Sequence, residues 1–111
     1  MNRKGSVFYK DYLAGVIEET EMGYRFSYDK EYLSREQKWP ISKTLPISEI
    51  PYISKTMFPF FDGLIPEGWL LDVALDNWKL KANDRMGLLL ACCKDCIGAV
   101  SVVPFNEKDH E

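Results

Sequence analysis

Five of the six prolines in this 111-residue chain fall between residues 40 and 66: Pro40, Pro46, Pro51, Pro59 and Pro66. Proline lacks the backbone N–H and clashes with the preceding helical turn, so the middle of the chain is barred from a continuous helix. Regular structure must therefore lie on either side of this block, and the two sides have different hydrophobic periods.

Before the block, apolar and polar residues alternate. Val7 and Tyr9, then Tyr24, Phe26 and Tyr28, show a period of two, which places one face of a strand against a core. Between them "ETEMG" reads as a turn, with Gly23 available for positive φ. Antiparallel strands are predicted near residues 5–10, 12–18 and 23–28. "DKEYLSREQKWPISKTLPI" reads as extended chain with one short strand or turn. A short turn is expected within residues 54–62.

After the block the period becomes helical. Leu71, Ala74, Leu75 and Trp78 fall at i, i+3, i+4 and i+7. Pro66 and Glu67 suit a helix entry, one with fixed φ and the other with negative charge near the positive end. A second helix is expected from Asn83 as N-cap, with Met86, Leu89, Leu90 and Cys93 on its apolar stripe. "KDCIG" then turns into a last strand, "AVSVVPF". Strands, then helices, then a strand predict an α+β fold, a small antiparallel sheet with helices packed on it. The length suits one domain over residues 1–111, with a polar tail at about 106–111.

Several functions are disfavoured by what the chain carries. The net charge is −3 and the Lys and Arg residues are scattered, unlike a nucleic-acid footprint. The basic N-terminus leads into no apolar run of signal-peptide length, and no stretch is long enough for a membrane span; a cytoplasmic protein is expected. Cys92, Cys93 and Cys96 are too few and too close for a disulfide framework. Cys93 and Cys96 resemble half of a zinc site, but the only histidine is His110 in the tail. Reduced, structural or idle thiols are expected, with no metal and no cofactor. There is no phosphate-cradling glycine loop, kinase catalytic loop or nucleophile elbow. Asp62 and Glu67 lie close enough in sequence for a carboxylate pair, yet capping and turn formation account for both. The chain reads as a binding module, not an enzyme.

The stretch "PFFDGLIPEGWLLD" supplies the candidate binding site. At about 100° per residue, Ala74, Leu75 and Trp78 cluster within about 60° of Leu71, whereas Trp69 falls at about 160°, beside Asp72 and Asp76. If the helix already includes residue 69, Trp69 points away from its own core. An exposed tryptophan beside a rigid turn is a typical interface anchor. If the helix begins later, Trp69 tucks under the loop as core. Trp78 and Trp39 read as structural.

"FFDGLIPEG" followed by "LLLACCKDCIGAVSVVP" resembles the N-terminal subdomain of HipA-type toxin kinases. "YRFSYDKEYL" and "WPISKTLPI" are similar to the family's upstream portions, so the resemblance runs over roughly residues 5–104. Where the family often has glycine before Lys94 and Asp95, this chain has Cys92 and Cys93. In the family, the ATP site and catalytic residues lie in the region that follows this subdomain. Met1 and the tail "NEKDHE" are expected to be natural ends, which suggests the split, three-gene form of the system. The resemblance then implies a HipS-like antitoxin. Its partner would be a HipT-like Ser/Thr kinase toxin, with a HipB-like DNA-binding protein as a possible third member. The loop Asp62–Asp72 is expected to dock near the kinase cleft through Asp62, Ile65, Pro66, Glu67, Gly68 and Trp69. The alternative is a non-inhibitory structural subdomain or fragment of a HipA-family kinase.

Overall fold

The computed structural model describes residues 3–65, 84–93 and 99–105. Three strands open the chain: β1 (Lys4–Tyr9), β2 (Tyr12–Thr20) and β3 (Gly23–Tyr28). They lie where the alternation predicts them. The β1–β2 turn places Lys10 at φ 55, and the β2–β3 turn places Gly23 at φ 145. A Cβ on Gly23 would lie 2.2 Å from the Ser54 carbonyl oxygen, so both backbone conformation and space demand glycine there.

A four-residue helix follows, α1 (Lys30–Leu33). This differs from the extended chain expected over these residues. Asp29 caps the helix, accepting from the Glu31 and Tyr32 amides, and Pro40 lies too far downstream to forbid a single turn. The chain then crosses the proline block with one isolated bridge, Ser42 to Leu45. A short strand, β4 (Tyr52–Ser54), precedes a helical turn, α2 (Pro59–Asp62). Pro59 stands at the start of that turn, where its missing N–H costs nothing.

The helix α3 (Arg85–Cys92) is capped by Asp84, whose side chain accepts from the Gly87 amide. The cap therefore falls one residue after Asn83. The strand β5 (Val100–Pro104) closes the described chain. The sheet order is β4-β3-β2-β1-β5 and every pairing is antiparallel, so the α+β architecture is as the element order implies.

Cross-strand partners share a face. Val7, Gly15, Ile17, Phe26 and Val102 are linked by register onto one side of the sheet. A Cβ on Gly5 would meet Leu90 of α3 at 2.8 Å, which places α3 on that same side. Phe61 of α2 and Met86, Leu88 and Leu89 of α3 are fully buried with them. Phe61 sits at the centre of an aromatic group with Phe26, Phe58 and Phe60. The opposite face carries Glu18 between Lys4 and Arg25, paired to both.

The proline block is held by two tyrosines. The Tyr28 hydroxyl donates to the Leu45 carbonyl and accepts from the Ile41 amide. The Tyr32 hydroxyl donates to the Trp39 carbonyl at 2.6 Å and accepts from its amide at 3.0 Å. Trp39 stacks on Tyr9 with ring centroids 5.5 Å apart, in keeping with its structural reading. These bonds give a stretch without ladder partners the backbone satisfaction it needs.

Candidate partner-binding site

The site begins on α2. Phe61 anchors the turn in the core, and the next residues wind tightly onto it. The amides of Asp62 and Gly63 donate to the carbonyls of Phe58 and Pro59, and those of Leu64 and Ile65 donate to Phe61 and Asp62. The winding turns Ile65 inward, where it is 3% exposed. Its side chain is thus part of the hydrophobic core of this chain.

Asp62 points the other way. Its side chain is 45% exposed and accepts from Arg85 Nε at 2.6 Å. Asp62 is therefore tied directly to the first residue of α3.

Asp84 is held from a second direction. Arg3 spreads its guanidinium between two carboxylates, contacting both oxygens of Glu19 and both oxygens of Asp84 at 2.7–3.1 Å. Planar forks of this kind combine charge with defined geometry. The guanidinium holds Glu19 and Asp84 below the usual carboxylate range, and the two carboxylates raise Arg3 in return. Gly87 makes room for this cluster: a Cβ there would lie 2.4 Å from Asp84 Oδ2 and 3.2 Å from Arg3 Nη1.

Cys93 completes the packing beneath. It is fully buried, and its thiol donates to the Leu64 carbonyl at 3.3 Å. Its own carbonyl accepts from Val102 of β5. Among the described residues, no group of His, Cys, Asp and Glu is arranged to hold a metal ion.

Of the six residues predicted to bind a partner, the structure places two: Asp62, paired with Arg85, and Ile65, in the core. Pro66, Glu67, Gly68 and Trp69 lie outside the described residues, as do Trp78 and the helical stripe from Leu71. Sequence reasoning missed Arg3, Glu19, Asp84 and Arg85. Arg3 and Asp84 are 81 positions apart, and no local pattern announces a contact at that separation.

The family comparison decides what this arrangement belongs to. Residues 5–103 match the family model for the HipA N-terminal domain. This chain belongs to the HipA N-terminal domain family. It is similar to a solved structure of the N-terminal domain of HipA toxin, with TM-score 0.72 and 29% identity, covering 95% of this chain and 94% of that one. It is also 34% identical over 100 residues to an uncharacterised protein of Haemophilus influenzae, covering 90% of this chain and 91% of that protein. HipA membership points to a role related to toxin–antitoxin systems. No helix among the described residues is long and apolar enough to cross a membrane.

Proposed function

We propose that this chain acts as a HipS-like antitoxin that binds a HipT-like Ser/Thr kinase and blocks it. The observation that carries this reading is the extent of the match. The HipA N-terminal domain model spans residues 5–103 of this chain, and the alignment with the Haemophilus influenzae relative covers 90% of this chain and 91% of that protein. A relative of nearly the same extent supports a domain of this kind standing apart from its kinase. The chain has no catalytic role in this reading; the kinase supplies the chemistry and the HipA-type domain restrains it. A HipB-like protein joins the pair where the complex sits on DNA, and this chain itself contacts no nucleic acid.

The proposed inhibitory surface is the Asp62–Asp72 loop with Trp69 as its anchor. Truncating an interface anchor of this kind typically costs about 2–4 kcal/mol of binding, or roughly 30- to 1000-fold in affinity. Trp69→Ala is expected to release the kinase and leave the fold nearly as stable. Trp78→Ala is expected to do the reverse, with a stability loss of about 3–5 kcal/mol. The test pairs the melting temperature of each variant with growth when it is co-expressed with the toxic kinase. Unfolding of Trp69→Ala would place that residue in the core and remove the docking model.

The likeness to a domain of the HipA toxin itself favours a second reading, in which this chain completes the fold of a kinase without inhibiting it. Co-purification with a kinase that stays toxic would select that reading.

A further inference from the structure

The end of the sheet where β1 turns into β2 carries a group of aromatic and cationic side chains. Tyr9 and Tyr12 are direct cross-strand partners, so their side chains share one face. Trp39 stacks on Tyr9, with planes 14° from parallel. The Arg35 guanidinium lies over the Tyr12 ring, 3.9 Å from its centroid. Lys10 Nζ lies 6.0 Å from the centroid of Tyr9. Tyr12 and Trp39 are 40% and 38% exposed, although tryptophan and tyrosine are usually well buried. The frame behind them is fixed: the buried Tyr32 hydroxyl bonds both backbone groups of Trp39, and Lys38 Nζ donates to the Arg35 carbonyl at 2.9 Å.

Arg35 differs from the other arginines in its partners. Among the described residues, Arg3, Arg25 and Arg85 each pair with a carboxylate, and Arg35 pairs with none. Its Nε donates to the Gln37 carbonyl at 3.3 Å, and its two terminal nitrogens have no acceptor among the described residues. A guanidinium stacked on a ring with its fork open is set to receive one carboxylate. The cleft beside it, about 990 Å³ in volume, is lined by Lys30 but also by Asp11, Glu31 and the capping Asp29. Those carboxylates disfavour a phosphate group or a nucleic-acid strand, whereas a single carboxylate at Arg35 is complementary. We propose that Tyr12, Arg35 and Trp39 form a docking surface for an acidic segment of the partner kinase. One Asp or Glu of that segment enters the Arg35 fork, and a neighbouring apolar side chain lies against the exposed rings. Because the surface is already in place, little ordering opposes docking. The proposal takes the kinase as partner from the antitoxin reading and adds contact residues that the Asp62–Asp72 loop does not contain.

The experiment uses the full chain and a HipT-like kinase. Arg35→Glu, Arg35→Lys and Lys55→Glu are compared with wild type for melting temperature and for kinase affinity at low and high salt. Lys55 is exposed and lies beside Gly23, at the opposite end of β2 from Tyr12, so it controls for the change in net charge. All three variants are expected to melt within a few degrees of wild type. Arg35→Glu is expected to bind about 30-fold more weakly and with a shallower salt dependence. Arg35→Lys keeps the charge but loses the fork, and is expected to bind about tenfold more weakly. Lys55→Glu is expected to stay within about twofold of wild type. In a second arm, Tyr12→p-benzoyl-phenylalanine is irradiated in the complex and the cross-linked peptide is sequenced. The expected product joins position 12 to a kinase segment with an Asp or Glu within a few residues. A cross-link confined to this chain or to a second copy of it overturns the proposal, as does a kinase segment without a carboxylate. Wild-type affinity in folded Arg35→Glu, or an equal loss in Lys55→Glu, also overturns it and leaves the antitoxin reading standing. If the wild-type chain fails to bind the kinase, that reading falls, and this proposal falls with it.

Discussion

The hydroxyl of Tyr28, at the end of β3, accepts a hydrogen bond from the amide of Ile41 at 3.1 Å. The same hydroxyl donates to the Leu45 carbonyl. One buried side chain thereby serves two backbone groups in a stretch flanked by Pro40 and Pro46. Removing the hydroxyl leaves both groups buried without their partner, and a buried unsatisfied polar group costs about 1–3 kcal/mol. Tyr28→Phe is therefore expected to lower stability by an amount in that range in urea titration. An unchanged midpoint would show that other groups, or water, replace the bonds.

Burial also opposes ionisation of Tyr28 and pushes its pKa up to about 12, from an ordinary value of 10.0. The folded chain thus holds this proton more tightly than the unfolded chain does. Its contribution is complete below pH 10 and is lost as pH rises through about 12. Stability is expected to fall over that window, with tyrosinate absorbance rising in step with unfolding. The test compares wild type with Tyr28→Phe, whose decline over the same window should be shallower. Equal slopes would assign the alkaline loss to other groups.

At the acid end the sign reverses. Glu19 and Asp84 are both lowered by their hydrogen bonds to Arg3. A lowered carboxylate pKa adds stability above its unfolded value and loses it as pH falls through the folded value. Ordinary values here are 4.5 and 3.8, so the loss begins below about pH 4.5. Because these side chains are about a third exposed, the effect is modest. Melting temperature is expected to decline from pH 5 to pH 2 more steeply in wild type than in Arg3→Ala. Parallel curves would mean that Arg3 does not control the two carboxylates.

Gly87 tests the same cluster by sterics. Alanine is favoured over glycine inside a helix by roughly 1 kcal/mol, so Gly87→Ala would stabilise α3 if propensity alone decided. The added Cβ would sit 2.4 Å from Asp84 Oδ2 and must displace the cap or the Arg3 contact. No net stabilisation is expected, and the acid dependence of Gly87→Ala should approach that of Arg3→Ala. A variant that melts higher with its acid dependence intact would show that the carboxylate moves aside at no cost.

The sheet was legible because its signal is local. Tyr24, Phe26 and Tyr28 alternate along β3, and Gly23 marks the turn before it. The stripe of α3 was largely legible for the same reason: of Met86, Leu89, Leu90 and Cys93, all but Leu90 are fully buried, while Leu90 is half-buried and Leu88, outside that stripe, is fully buried. The cap was misplaced by one residue because Asn83 and Asp84 are both good caps, and the choice fell to Asp84, which Arg3 holds from across the fold. The α1 turn was missed because Asp29 caps too few residues for a periodic pattern. At the candidate site, "PFFDGLI" announced a turn with apolar anchors. It did not reveal that Ile65 faces the core or that Asp62 pairs with Arg85, because both depend on how α2 meets α3.

The central claim is that this member of the HipA N-terminal domain family inhibits a kinase by binding it. The most direct measurement is the initial rate of substrate phosphorylation by a purified HipT-like kinase as this chain is titrated in. The rate is expected to fall toward zero near stoichiometric addition, and Trp69→Ala is expected to shift the curve to roughly 30- to 1000-fold higher concentration. A stable complex whose phosphorylation rate stays at that of the kinase alone would contradict the claim.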